Sequence, residues 1–391
     1  MSFHMRLAAF CILTMLAGSA GLAWGQALEG QPAPSTVRGK QYPRILADRR
    51  VIFRVNAPSA KQVAVAGRAA DSGMNGNRPY EMEEIEKGVW QVTTDPVRPG
   101  FQYYELIIDG LRTNDPASQT FFGWAQPTSG LEVPDEALDF YAEQDVPRGE
   151  VRIRPYLSKT TGLFRRAYVY TPPGYDKDTE ARYPVLYLQH GSGENETSWT
   201  WQGKANLILD NLIAERKAVP MLVVMDQGYG TKPGQEAGAG SRGNEAFEEV
   251  VIHDLIPLVD GTYRTRTTRH DRAIAGLSMG AGQAMRIGLG HLDKFATVGS
   301  FSGGSGNFDR STSYGGVMAD AAAFNSKVDL LWIGCGTEDR LYDGAKALHE
   351  TLQAAGVEHV WFELPGSHEW QVWRKHLHDF APRLFRETAS R

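Results

Sequence analysis

An α/β domain built on a doubly wound, mostly parallel sheet, preceded by a small all-β sandwich, is the architecture this sequence predicts. Three observations carry it. From Arg50 to Gly110 apolar residues alternate with a period of two, in short runs broken by turn residues. Beyond about residue 146 continuous apolar runs alternate with segments of helical spacing, the pattern of a parallel sheet with helices on its faces. Between them in importance stands DRAIAGLSMGAGQAM, residues 271–285: a short apolar strand, then Gly276-Leu277-Ser278-Met279-Gly280, then an Ala/Gly/Met-rich helical stretch. A serine in a tight strand-to-helix turn needs small neighbours two before and two after, so that strand and helix can approach closely.

At 391 residues the chain has room for two domains. A formal charge of −5 argues against a nucleic acid or an anionic membrane surface as partner. The N-terminus reads as a cleaved export signal over residues 1–25, with Arg6 as its positive charge, Leu7 to Leu16 as its apolar core and Ala23-Trp24-Gly25 before the cleavage point. The expected location is therefore secreted or periplasmic. Cys11 would leave with the signal and Cys335 would remain as a lone thiol, so no internal disulfide is available.

In chain order, residues 26–40 are a polar, Pro/Gly-containing lead-in expected to be flexible. Residues 41–145 form the sandwich and its connector. VIFRVNAP, KQVAVAGR, VWQVTTDPV and QYYELIIDG supply the strands, and Trp90, Tyr103 and Tyr104 are read as sandwich core and interdomain packing before sugar-stacking platform. From Asn114 to Val146, with Pro116, Pro127 and Pro134, a loop-rich connector is expected, pinned by Phe121, Phe122, Trp124, Phe140 and Tyr141. Residues 146–391 are the α/β domain. Its strands include YPVLYLQ, PMLVVMD, RAIAGL, FATVGSF, VDLLWIGCG and HVWFEL, and WQVWRKHLHDFAPRLF closes it as an amphipathic helix.

An activated serine needs a base, and the base needs an orienter. With Ser278 as nucleophile, Asp339 follows the strand LLWIGCGTE and His368 lies in the loop after the next strand, 61 and 29 residues further on in turn. Each step is one or two strand–helix units, as neighbouring strand ends require. Glu338 is the rival acid. The second backbone donor for a developing oxyanion is assigned to Ser192 N–H in His190-Gly191-Ser192-Gly193, beside Met279 N–H at the helix start. Trp199, Trp201, Tyr229 and Trp370 fall on strand-end loops and are the candidates to line an aryl or sugar pocket. No metal-ligand spacing, P-loop or dinucleotide fingerprint is present, so neither metal nor cofactor is expected.

The strings RRAYVYTPPGYD, RYPVLYLQHG, NLILDNLIAE, VVMDQGYG, GLSMG, HLDKFATVGSFSG, LLWIGCGTED and GSHEWQVWRKHLHDFAPRLF resemble the esterase D-like α/β-hydrolases that include carbohydrate esterase family one. VIFRVNAPSAKQVAVAG, GVWQVTTDPVRPGFQYYELIIDG and TNDPAS resemble an early-set immunoglobulin-like domain related to glycogen-binding modules. By that likeness Ser278, Asp339 and His368 take the triad roles, and the partner is a polysaccharide ester. One departure is Ser192, where relatives often carry a bulky residue. The oxyanion role is a backbone role and survives this, whereas the acyl-side wall differs. The resemblance implies a feruloyl esterase, with acetyl-xylan esterase or another acyl-ester hydrolase or acyltransferase as alternatives. A non-catalytic carbohydrate-binding protein is the alternative of another class.

Overall fold

Two antiparallel sheets and one mixed sheet organise the computed structural model, which describes residues 28–68, 73–74, 78–134, 136–234, 244–303 and 308–386. The export signal expected over residues 1–25 lies outside them. The sandwich packs one sheet around Val51–Asn56 and Val89–Thr93 against a second around Val63–Gly67, Gly100–Ile108 and Gln126–Val133. Alternate side chains meet between them: Phe53, Val65, Tyr104, Leu106 and Leu131 are buried there.

Two expectations for this half need correction. The lead-in is tied down within the described residues. Gln31–Pro32 pairs antiparallel with Arg44–Ile45, and the buried Arg44 guanidinium donates to the Glu29 carbonyl at 2.7 Å. The connector is also more ordered than its prolines suggested. Thr120–Gly123 and Gln126–Val133 form a hairpin that extends the second sheet, with Pro127 opposite Phe122 beside its tip. Trp90 and Tyr104 are buried in the sandwich, the indole on the Ala57 carbonyl and the phenol on Asp115, so they form no exposed sugar platform.

Among the described residues the second half has eight strands: β1 (Glu150–Leu157), β2 (Phe164–Thr171), β3 (Val185–Gln189), β4 (Leu222–Asp226), β5 (Arg272–Leu277), β6 (Thr297–Phe301), β7 (Leu330–Gly336) and β8 (Val360–Leu364). They run in the order β1-β2-β4-β3-β5-β6-β7-β8. β1, β2 and β4 pair antiparallel; every pairing from β4 onward is parallel. β3, β4, β5 and β6 are buried at every position, which is why apolar residues dominate them with no period-two alternation. Helices α1 (Ala205–Ala214), α2 (Met279–Gly290), α3 (Tyr342–Ala354) and α4 (Trp370–Phe380) cover the faces. This is the α/β-hydrolase arrangement, with the C-terminal ends of the parallel strands on one edge.

The halves are joined by polar groups taken out of water. Arg374 of α4 is fully buried and grips Glu132 of the sandwich with two hydrogen bonds of 2.7 and 2.9 Å. Its Nε also donates to the Gln202 carbonyl, and its guanidinium lies 4.3 Å from the Tyr141 ring centre. Phe121 meets Trp201 edge-on, and Phe140 packs on His378. Breaking such a pair by removing one partner leaves a buried charge uncompensated. Arg374→Met is therefore expected to cost about 3–5 kcal/mol in urea unfolding; a loss below about 1 kcal/mol would contradict the tie.

Candidate active site

Ser278 sits at the end of β5 in a backbone conformation with φ 53° and ψ −112°, outside the regions ordinary residues favour. The strain is held in place by what surrounds it. A side chain on Gly280 would meet the carbonyl oxygens of His190 and Gln189 at 2.5 and 2.7 Å, and one on Gly276 would meet the Gly280 backbone at 2.6 Å. The Ser278 N–H meanwhile continues the β5–β6 ladder by donating to the Phe301 carbonyl at 2.9 Å. Strand, helix and the loop after β3 thus close on one another, and the hydroxyl is left as the part of Ser278 free to point away.

It points at His368. Ser278 Oγ and His368 Nε2 are 2.9 Å apart, and His368 Nδ1 is 2.8 Å from Asp339 Oδ2. The Asp339 carboxylate is fully buried, and its other oxygen accepts the Leu341 N–H at 2.9 Å. Burial alone would raise this carboxyl; the hydrogen bond and charge of His368, with the Leu341 N–H, outweigh it and hold the group below the ordinary value. An ionised Asp339 fixes the Nδ1–H tautomer, which leaves Nε2 free to accept the serine proton. Glu338, one residue earlier, faces away and pairs with Arg98 of the sandwich at 2.7 Å.

The loop after β3 supplies the other wall. His190 is buried, and burial pushes it down to about 4, so it is neutral. Its Nδ1 donates to the Gly191 carbonyl, and its Nε2 accepts the Gly228 N–H, both at 2.8 Å. Gly193 N–H donates to the Tyr229 hydroxyl, and Gly191 N–H to Glu194. Ser192 N–H and Met279 N–H have no hydrogen-bond partner among the described residues. Two unspent amides, one of them at the start of α2, beside a serine hydroxyl are what a developing oxyanion requires.

A cavity of about 940 Å³ opens over Ser278, and Ser192, Met279 and His368 are on its wall. Of the four aromatic candidates only Trp370 lines it. Trp199 turns inward from the short helix Ser198–Trp201 and is buried, its indole N–H on the Gln189 carbonyl at 2.8 Å. Trp201 is half exposed and packs on Phe121 of the sandwich. Tyr229 acts through its hydroxyl on Gly193. In their place the sandwich contributes Phe101, Tyr103, Trp124 and Arg68, and α4 adds Trp373. Trp124 and Ala125 form the hairpin tip with φ of 58° and 62°, a turn that normally selects Asn-Gly, so the sequence held no signal for it. Ala125 N–H donates to the Gly193 carbonyl at 2.7 Å, seating the tip on the loop after β3.

Among the described residues no cluster of three His, Cys, Asp or Glu side chains is placed to hold a metal ion.

Residues 158–384 match the family model described as a putative esterase. An endo-1,4-beta-xylanase/feruloyl esterase of Xylanibacter ruminicola is 38% identical over 361 residues, covering 91% of this chain and 47% of that protein. The chain spans about half the length of the curated relatives it matches. Among solved structures, a family-one ferulic acid esterase of Anaeromyces mucronatus in complex with ferulic acid superposes with a TM-score of 0.56 at 28% identity, over 64% of this chain and 96% of its own. An enterochelin esterase of Shigella flexneri gives 0.64 at 19% identity over 88% and 94%, a likeness of fold.

Glu194 gives this site a pH signature. Burial pushes its carboxyl from 4.5 up to about 7, against the pull of the Gly191 N–H and the Tyr103 hydroxyl. Between those values the folded chain keeps a proton that the unfolded chain has lost. The resulting stabilisation is full below about 4.5 and is lost as pH rises through about 7. Relative to Glu194→Gln, the wild-type urea midpoint is expected to fall across that window. Parallel pH curves for the two proteins would contradict the assignment.

Proposed function

The chain belongs to the esterase family, and for this carboxylic ester hydrolase we propose an exported enzyme that removes feruloyl groups from plant cell-wall polysaccharide such as xylan. The observation that carries the mechanism is the hydrogen-bonded chain from Ser278 through His368 to Asp339, at 2.9 and 2.8 Å.

Ser278 Oγ attacks the ester carbonyl while His368 Nε2 takes its proton. The carbonyl oxygen becomes an oxyanion and is met by the Ser192 and Met279 N–H groups. The intermediate collapses, the alkoxy leaving group receives the proton from His368, and the acyl group remains on Ser278. Water, deprotonated by His368, then attacks that ester; as the second intermediate collapses, His368 returns the proton to Ser278 Oγ and the acid leaves. Asp339 stays ionised throughout and stabilises the imidazolium. The cavity supports an aryl acyl group: Phe101, Trp124, Trp370 and Trp373 give it flat apolar walls that an acetyl group would not need. The xylanase/feruloyl esterase relative supports a xylan ester as substrate.

With methyl ferulate as substrate, Ser278→Ala or His368→Ala is expected to lower kcat by roughly 10⁴- to 10⁶-fold. Asp339→Asn is expected to cost about 10²- to 10⁴-fold, and more than Glu338→Gln. kcat/KM for methyl ferulate should exceed that for a matched acetyl ester by about 10-fold or more. A preference for acetyl would overturn the acyl assignment; Glu338→Gln proving the more damaging acid substitution would overturn the triad as assigned.

A further inference from the structure

Arg98 lies outside the cavity, in the turn that joins Val89–Thr93 to Gly100–Ile108, anchored by the buried Val97 beside it. Its guanidinium reaches across to the α/β half and bridges two carboxylates: Nη2 is 2.7 Å from Glu338 and Nη1 is 3.0 Å from Glu369. Glu338 directly precedes Asp339, and Glu369 directly follows His368. The two loops also touch each other, since Glu338 N–H donates to the Gly366 carbonyl at 2.9 Å. Glu369 is itself buried; the oxygen that meets Arg98 also accepts the Ser367 N–H at 3.3 Å, within the turn that presents His368.

We propose that Arg98 is a positioning residue for the acid–base pair, a fork from the sandwich that fixes the loop bearing Asp339 against the loop bearing His368; this rests on the triad reading above. The physical case is geometric. A guanidinium presents donors in a rigid fork and can hold two carboxylates at a set separation, which a flexible ammonium cannot. The Glu338 end is half exposed on both sides, 43% and 51%, and contributes little to stability. The bridge spans 240 and 271 residues of sequence, so it is made only when the sandwich is docked. The same docked surface seats the hairpin tip on Gly193 and brings the Tyr103 hydroxyl to Glu194 at 3.2 Å. Both sides of the site are thus braced by one neighbour.

The test uses the whole chain and methyl ferulate, with Arg98→Gln, Arg98→Lys and Ser278→Ala made as separate variants. Active enzyme is counted by titration, so that misfolded protein does not enter kcat. Arg98→Gln is expected to lower kcat by about 10-fold with KM within about twofold of wild type, because small misplacements of reacting groups cost rate before they cost binding. Arg98→Lys, which keeps the charge but not the fork, is expected to fall between. A wild-type kcat in Arg98→Gln or Arg98→Lys overturns the proposal, as does a loss confined to KM or to the fraction of active protein. If Ser278→Ala kept its activity, the triad reading itself would have failed. An inactive Ser278→Ala beside a fully active Arg98→Gln would refute the role of Arg98 alone.

Discussion

Two backbones approach each other at Gly280, against the carbonyls of Gln189 and His190, and the geometry of the site follows from that contact. No side chain fits there: a Cβ would stand 2.5 Å from the nearer oxygen. Only with β5, α2 and the loop after β3 closed to this distance can the turn hold Ser278 at a positive φ and bring Met279 N–H and Ser192 N–H to one wall of the cavity. The cost of that conformation is met by the sheet: β3, β5 and β6 are buried along their whole length and leave the turn no room to relax. The loop is fixed in turn by a neutral His190, which spends one ring nitrogen on its own neighbour's carbonyl and the other on Gly228.

The second dependency runs through the domain junction. The sandwich does more than precede the esterase half: its residues line the cavity, and its Glu132 is the only carboxylate paired with the buried Arg374 among the described residues. The cavity over Ser278 is therefore walled by both halves. Part of that wall, at Trp124, is a hairpin tip held in the left-handed region by its contact with Gly193.

How much of this was legible in the sequence follows from the range of the interactions. Ser278, Asp339 and His368 could be picked out because each follows an apolar strand and the fold returns consecutive strands to one edge. The glycines around Ser278 carry their own explanation, since the local turn alone demands them. Apart from Trp370, the aromatic wall was not legible. Trp199 and Trp201 share one short helix, and which of the two faces inward depends on the Gln189 carbonyl, to which Trp199 donates. Trp124 lies among prolines that read as loop, and Trp-Ala is an unusual choice for a tight hairpin turn. The pairing of Arg374 with Glu132 spans 242 residues and leaves no local pattern at all.

Whether Ser278 carries the acyl group is read by quenching the enzyme in acid early in its reaction with a feruloyl ester, and mapping the covalent adduct by peptide mass spectrometry. One feruloyl group, in ester linkage, is expected on Ser278, absent from Ser278→Ala and discharged when the wild-type reaction runs to completion. Turnover by the wild type with the adduct on another residue, or sustained turnover in Ser278→Ala, would contradict that role of Ser278.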